Sequence, residues 1–570
     1  MITLLATVVL LGVLITIHEF GHYIVAKLSN VRVRVFSIGM GPTLVSWTRG
    51  ETEYRISKLP VGGYVRLAGA EPGEAPEPEE VGRTLQDKPP WIRILIYLGG
   101  PVMNLVLPFI ILVPLFSLSG KYDQVEGNVV GALDTGRPAY QEGLREGDAI
   151  IEIDGESVST FWQVVKHVDE YSADQGPMRL KVERPGVAEP IALEIHPEEI
   201  NYTDVMGFEH KQYRIGYSAR FKSPTISIVD PEKGGGQAGL TTFDRIVKVG
   251  DREIDHYVTL MSALIQAPAD APLVLEVERA TPLKASGLQL ESLFAKKKVQ
   301  ITLPPSTAAR TPESLGLGAV ETCVTTVDAG GPAAKAPAVG HSAGPGLKPG
   351  DCITAIDGKA LSLWYSMYAR LTHQPQQAKK LTVRRNGQLL DFTLALEQVK
   401  FEDPLAGEIK QWRMGLSWLP DQARQVKGAP VDNVDRLGYA WYEANRMVER
   451  QVTNTVRSIG GMFSGQVSPQ QLSGPITIGY LAGEYAKAGF ESFLHLMVVV
   501  SLSLALINLM PIPALDGGHI LVASIEMIIR RPLPIKVQQG IQVVGGVMLI
   551  GLIFFALGND LLKQFRLWSG

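Results

Sequence analysis

The sequence predicts a polytopic α-helical membrane protein with four transmembrane helices, in which the long loop between the second and third helices folds as a tandem of small α+β domains. Three observations predict it: apolar stretches without charge that are long enough to cross a bilayer, Lys and Arg concentrated in two short loops, and a glycine-rich turn that recurs three times in the centre of the chain. Composition excludes other classes. The 570 residues carry 54 basic and 58 acidic side chains, a formal net charge of −4, so no field draws nucleic acid to the chain. Its 58 Gly and 37 Pro are dispersed and it has only two Cys, which excludes collagen-like, disordered and disulfide-scaffold classes. The one basic run, Lys296-Lys297-Lys298, reads as a solvated loop or strand end.

The first helix starts at the N-terminus. Residues 2–17 are apolar apart from Thr and Gly, and apolar character continues to Ala26 around His18-Glu19-Phe20-Gly21-His22. A signal peptide would need a positive n-region and a small-residue cleavage site. No Lys or Arg precedes Lys27, so the segment is read as a retained helix. The apolar run before His18 is shorter than a hydrocarbon core, at about 1.5 Å per residue, which puts the two His and the Glu inside the membrane. Ionisable groups at that depth are costly and mark function. The other spans lie in charge-free gaps of 27, 24 and 23 residues at 94–120, 492–515 and 537–559. Residues 27–93 hold ten Lys or Arg and residues 516–541 hold three, which makes those two loops cytoplasmic and leaves both termini and 121–491 outside.

The outer region is a repeat. Gly143-Leu144-Arg145-Glu146-Gly147-Asp148 runs into Ile153-Asp154-Gly155, and Gly346-Leu347-Lys348-Pro349-Gly350-Asp351 runs into Ile356-Asp357-Gly358. Between them Gly239-Leu240-Thr241-Thr242-Phe243-Asp244 runs into Val249-Gly250-Asp251, with Phe243 in place of the second Gly. Each turn feeds an alternating strand, a helix-like stretch and further strands. This spacing resembles PDZ domains of the bacterial protease-associated kind. The resemblance implies domains at 121–205, 206–305 (degenerate) and 313–400, of a kind that takes peptide C-termini in a groove by strand addition, with Phe243 putting that binding in doubt for the middle copy. The alternative is that they are spacers without a live groove. Cys323 and Cys352 both fall in the third copy. An oxidising compartment permits a disulfide between them. The reading favours two buried reduced thiols. Residues 401–491 read as an amphipathic connector with Trp412, Trp418, Trp441 and Tyr442 at the membrane interface.

The chemistry lies in the membrane halves, 1–120 and 492–570. His-Glu-x-x-His on a helix puts two imidazoles one turn apart on one face, within reach of one metal, with the Glu beside them as a proton acceptor. Catalytic zinc takes three protein ligands, and no third His or Glu in the usual downstream pattern appears in residues 23–92. Asn508-Leu509-Met510-Pro511-Ile512-Pro513-Ala514-Leu515-Asp516-Gly517-Gly518 offers one in Asp516. Its two prolines interrupt helical hydrogen bonding, and freed backbone at that depth must be buried in protein or line a wet cavity. Taken alone, Asp516 reads as an interfacial helix cap.

Together, the His18–His22 motif and the Asn508–Gly517 segment resemble the site-2 protease family of intramembrane zinc metalloproteases, and the outer PDZ-like repeats resemble its bacterial regulator-of-sigma-E protease branch. Phe36–Pro42, Leu59–Val65, Gly100-Pro101-Val102-Met103-Asn104 and Ser473–Ile476 match as well. That branch commonly carries two PDZ domains, and this chain has three copies. The resemblance implies Zn²⁺ held by His18, His22 and Asp516, with Glu19 as general base. It also implies that Asn508, with Pro511 and Pro513, holds substrate backbone, and that a Tyr54–Leu67 hairpin, turning at Val61-Gly62-Gly63, lies against the membrane and pairs with substrate. The implied activity is endoproteolysis of transmembrane segments of single-pass proteins already cut outside, such as anti-sigma factors or remnant signal peptides. The implied setting is the bacterial inner membrane, with the PDZ domains periplasmic and the active site near the cytoplasmic side. Two rival readings are a membrane-anchored PDZ scaffold with a vestigial metal site and a metal transporter. The transporter has no need of Glu19 or of the repeats.

Overall fold

The computed structural model describes residues 2–569 apart from 72, 204–208, 283–293, 341–343, 404–406, 418–424, 466–468 and 470–473. Helix α1 (Ile2–Leu28) buries a stripe one turn apart: Ala6, Leu10, Leu14, His18 and His22, with Gly21 beside it. Two long strands follow, β1 (Val33–Arg49) and β2 (Thr52–Leu67), and then helix α2 (Pro90–Leu118). The strands reverse at Gly50–Glu51, where Arg49 faces Thr52 and Gly50 takes φ +65°. The chain reverses a second time between Ser57 and Gly63, where Gly62 takes φ +94°, so a turn lies where one was expected at Val61–Gly63; its two arms flank Val35–Ile38 instead of pairing with each other as a hairpin. That expectation treated Phe36–Pro42 only as a motif, whereas it belongs to the partner strand. Ser37 faces both Tyr64 and Arg55, so the strands bend around Gly39–Gly41 and Leu59–Gly62 and form a small curled sheet. Its loop is tied back by buried Glu80, which pairs with Arg34 at 2.6 Å. The Arg34 guanidinium holds the Glu80 carboxyl down at about 2. At the turn, Arg83 and Lys27 hold Glu51 down at about 2 in the same way.

By contacts the chain forms two units, one of Met1–Asp123, Glu402–Ile409 and Asp435–Gly570, the other of Gln124–Phe401 and Lys410–Val434. The second unit contains three modules of one plan. In the first, a sheet ordered Glu156–Ser157, Ala149–Ile153, Met178–Glu183, Ile191–Ile195 packs on helix α3 (Phe161–Asp169). The second repeats that order with Arg252–Glu253, Arg245–Val249, Leu273–Pro282 and Phe294–Leu303 around α4 (Tyr257–Gln266). The third does so with Lys359–Ala360, Cys352–Ile356, Lys379–Arg385 and Gln388–Leu394 around α5 (Trp364–Thr372), with Ala338–Val339 added at the edge. Each has the same buried ion pair under its glycine-rich turn: Asp148–Arg184 at 2.8 Å, Asp244–Arg279 at 2.6 Å and Asp351–Arg385 at 2.6 Å. The same Arg also donates to the first glycine's carbonyl, at Gly143, Gly239 and Gly346.

The cores run past residues 205, 305 and 400. Ile215 and Tyr217 join the first, Leu315 and Leu317 the second, and Leu416 the third. In each case a short late strand returns to pair with an early one, as Tyr217–Ser218 does with Ala132–Leu133. Cys323 and Cys352 are bonded as a disulfide, correcting the reading as thiols; they face each other across an antiparallel bridge. Phe243 packs against that disulfide while holding φ +77°, the left-handed conformation its glycine counterparts Gly147 and Gly350 adopt freely. Trp412 packs on the third core. Trp418 lies outside the described residues. Lys297 and Lys298 sit on an edge strand of the second module, Lys298 paired with Glu276 at 2.8 Å.

The first unit closes with α6 (Arg436–Phe463), α7 (Pro475–Ala488), α8 (Phe490–Asn508), α9 (Asp516–Ile529) and α10 (Ile535–Ser569). Helix α6 lays Ala440 and Ala444 against Leu112 and Phe116 of α2 and Val498 and Leu502 of α8, and Trp441 stacks near Phe109 at 5.4 Å. Asp560 of α10 is buried and caps the start of α7, accepting from the Gly474, Ile476 and Thr477 amides and, at 2.6 Å, from the Thr477 hydroxyl. Among the described residues four helices are long and apolar enough to cross a membrane: Ile2–Leu28, Pro90–Leu118, Phe490–Asn508 and Ile535–Leu562. The third stops at Asn508, seven residues before the end of its charge-free gap, because Pro511 and Pro513 supply no amide for continuing the ladder.

Candidate metal centre

Three helices build the site. Helix α1 presents His18 and His22 from adjacent turns; α9 opens with Asp516; α2 forms the floor. His18 Nε2 lies 3.1 Å from Asp516 Oδ2, His22 Nε2 lies 3.4 Å from Asp516 Oδ1, and the two Nε2 atoms are 3.2 Å apart. All three residues are largely buried, and among the described residues they form the group of His, Cys, Asp or Glu able to hold a metal. Zinc–nitrogen and zinc–oxygen bonds of about 2.0–2.2 Å at a tetrahedral angle put neighbouring ligand atoms roughly 3.3 Å apart. The observed separations match that edge.

The floor explains how the helices come so close. A Cβ on Gly21 would meet the Gly99 carbonyl oxygen at 2.0 Å, and one on Gly99 would meet Gly21 O at 2.5 Å, so α1 and α2 touch backbone to backbone. One residue on, a Cβ at Gly100 would stand 2.4 Å from His22 Nε2 and 2.7 Å from His18 Nε2. The space a metal needs is therefore space that only glycine leaves open. From the same face of α2, the Ile96 carbonyl accepts from His22 Nδ1 at 2.8 Å and the Asn104 amide lies 3.3 Å from His18 Nδ1. On the far side Asp516 is placed by the turn before it: a Cβ on Gly517 would strike the Met510 carbonyl at 2.2 Å and one on Gly518 the Ile512 carbonyl at 2.3 Å. Gly545 of α10 gives similar room to Ala514. The end of α9 is anchored by buried Glu526, which pairs with Arg93 of α2 at 2.5 Å and accepts from the Leu533 amide.

The remaining expected residues divide. Glu19 sits between the two His on α1, half-buried, and its charge acts on His18, His22 and Asp516. Asn508, at the end of α8, has its amide nitrogen 3.5 Å from His18 Nε2. Gly63 lies beside Glu19, a Cβ there standing 3.6 Å from Glu19 Cγ, so β2 borders the site. Gly62 points instead at the Met40 side chain, 3.0 Å away. Pro511 is exposed in the turn, and Pro513 packs against Gly518 and Gly545. Reasoning from sequence missed Gly100 and Asn104 as parts of the site, although both stand in the quoted Gly100–Asn104 motif, and missed Ile96, whose contribution is a backbone carbonyl that no side-chain pattern signals.

The profile of peptidase family M50 matches residues 6–552. The chain belongs to this family. The M50 peptidase is 28% identical over 542 residues, 94% of this chain and 93% of the relative, to a Neisseria meningitidis protein provisionally named as a zinc metalloprotease. It is 26% identical over 558 residues, 97% of both chains, to the regulator of sigma-E protease RseP of Escherichia coli. The protease RseP of Yersinia pestis is likewise 26% identical, over 566 residues and 98% of both chains. With the family and its three-residue donor cluster, the chain is a metalloprotease.

Proposed function

We propose that this M50 peptidase is a zinc-dependent intramembrane endopeptidase that cuts transmembrane segments of single-pass membrane proteins. The observation that carries it is the meeting of His18 and His22 with Asp516, 490 or more residues away in sequence, within 4.8 Å of one another and beside Glu19. His18 Nε2, His22 Nε2 and an Asp516 carboxylate oxygen would hold the zinc. Bound there, zinc supplies Lewis acidity, acidifying water and polarising a peptide carbonyl. Glu19 takes the proton of the attacking water and delivers it to the leaving amine. A helical substrate hides its amides, so it must unwind before cleavage. The β2 edge beside Glu19 and the Asn508 amide supply hydrogen bonds to an extended chain.

In this reading the enzyme sits in a bacterial inner membrane, with the Lys- and Arg-rich 27–93 loop on the cytoplasmic side and the three modules, read as PDZ domains, outside. Its substrates are trimmed outside first, as anti-sigma factors or remnant signal peptides are. In this reading peptide capture falls to the first module, where a cavity of about 470 Å³ lies between α3 and the Tyr217–Ser218 strand, lined by Phe161, Val165 and Val168, with Tyr365 and Ser366 of α5 on its far wall. The intact Glu19 and complete donor set argue against a scaffold with a vestigial site. Glu19→Gln tests the assignment. The variant is expected to keep its zinc and lose cleavage of a transmembrane reporter in the same preparation; cleavage at the wild-type rate would remove Glu19 from the role.

A further inference from the structure

We infer that Asn104 is a positioning residue of the metal centre: its side-chain oxygen accepts the His18 Nδ1 proton and so leaves His18 Nε2 free to bind metal. The inference rests on the reading of His18 as a ligand. His22 shows the requirement. Its Nδ1 lies 2.8 Å from the Ile96 carbonyl, which can only accept, so the proton sits on Nδ1 and Nε2 faces the site with a lone pair. His18 needs the same tautomer, and the Asn104 amide is what stands at its Nδ1, with Nδ2 3.3 Å away and Oδ1 one amide flip from the same place. An amide has two faces. With its nitrogen toward His18 it donates, and the imidazole proton moves to Nε2, where it points at Asp516 Oδ2 and blocks ligation. With its oxygen toward His18 it accepts, and Nε2 becomes a ligand. Ligating histidines regularly hand their second N–H to a carbonyl or carboxylate in this way.

Three observations mark Asn104 as built for this rather than as core filler. Its side chain has no solvent exposure, and with Nδ2 toward His18 its Oδ1 has no hydrogen-bond partner, so that oxygen is available and costly to leave unused. Ile96, Gly100 and Asn104 recur every four residues, placing acceptor, gap and acceptor along one face of α2 opposite His22 and His18. The backbone of Asn104 is pinned as well. Pro108 lacks the amide that would bond the Asn104 carbonyl within the helix, and the hydroxyl of fully buried Ser501 on α8 donates to that carbonyl at 2.8 Å. A helix defect thus becomes a tether that fixes Asn104 between α2 and α8.

The test uses the full-length protein in detergent or nanodiscs, with zinc affinity measured by competition against a chromophoric chelator and the visible spectrum of the Co²⁺-substituted protein as a second readout. Asn104→Leu keeps the volume and removes the acceptor; it is expected to weaken zinc binding by about 10–100-fold and to shift the cobalt spectrum. Asn104→Asp, which can only accept, is expected to bind at least as tightly as the wild type. Wild-type affinity in Asn104→Leu, or equal weakening in both variants with both still folded by circular dichroism, would overturn the inference. Zinc binding unaffected by His18→Ala would instead overturn the ligand assignment beneath it, which separates the two failures.

Discussion

Replacing Gly100 by Ala should strip the metal while leaving the fold in place. The added Cβ would stand 2.4 Å from His22 Nε2 and 2.7 Å from both Nε2 and Cε1 of His18. Ordinary contact begins near 3.4 Å, so one imidazole must retreat by about 1 Å, several times the roughly 0.2 Å tolerance of a metal–ligand bond. A misplacement of about 1 Å costs roughly 100-fold in rate even when the reacting groups survive. Here the methyl also fills the ligand-facing space itself. Folding gives no competing explanation. Gly100 lies inside α2, where Ala is intrinsically favoured over Gly by about 0.8–1 kcal/mol. The assay is zinc per chain by elemental analysis, alongside reporter cleavage and thermal unfolding, with Gly546→Ala as control, since nothing lies within 4 Å of a Cβ there. Gly100→Ala is expected to unfold at or near the wild-type temperature with substoichiometric zinc and cleavage reduced at least 100-fold. Full zinc and wild-type cleavage would refute the placement of the metal between these imidazoles.

Three further outcomes follow from the same geometry. Glu80 has its carboxyl held at about 2 by Arg34, against an ordinary 4.5, so its contribution to stability is complete above about 4.5 and is lost as pH falls from there toward 2. Glu80→Gln should remove that acid dependence and cost about 1–3 kcal/mol at neutral pH, read by proteolysis of the 67–90 loop across a pH series. Asp351→Ala leaves Arg385 partly buried without its carboxylate and should destabilise the second unit by about 3–5 kcal/mol, measured by denaturant titration of the whole chain. Val165→Arg puts a charge into the first module's cavity from a partly exposed position and should abolish capture of an apolar peptide there without changing zinc content.

Much of this architecture can be read from the residues because the bilayer imposes a strong code. A charge-free run of 27 residues at 94–120 has few alternatives to α2, and His-Glu-x-x-His in an apolar helix needs a metal to justify its place. What escaped was whatever depends on a distant partner. The turn near Gly62 and Gly63 was legible locally, whereas the further reversal at Gly50 and the insertion of Val35–Ile38 between the two expected hairpin arms are recognisable only once Val33–Arg49 is known to pair with Thr52–Leu67. The late strand of each module, such as Tyr217–Ser218, is two or three residues long and carries no periodicity. Asp560 marked the end of an apolar run, and nothing in its surroundings announces that it caps a helix 84 residues earlier. Gly100 and Asn104 were visible as letters of a motif, but their places beside the two imidazoles are defined by what an absent side chain and one side-chain amide face across a helix contact.

The account depends on one metal shared by both ends of the chain, and X-ray absorption at the zinc edge of the purified protein tests this most directly. It should show two imidazoles and carboxylate oxygen at about 2.0–2.2 Å, with one imidazole missing in His18→Ala and the carboxylate contribution missing in Asp516→Ala. A first shell unchanged by Asp516→Ala, or one containing sulfur near 2.3 Å, would contradict it.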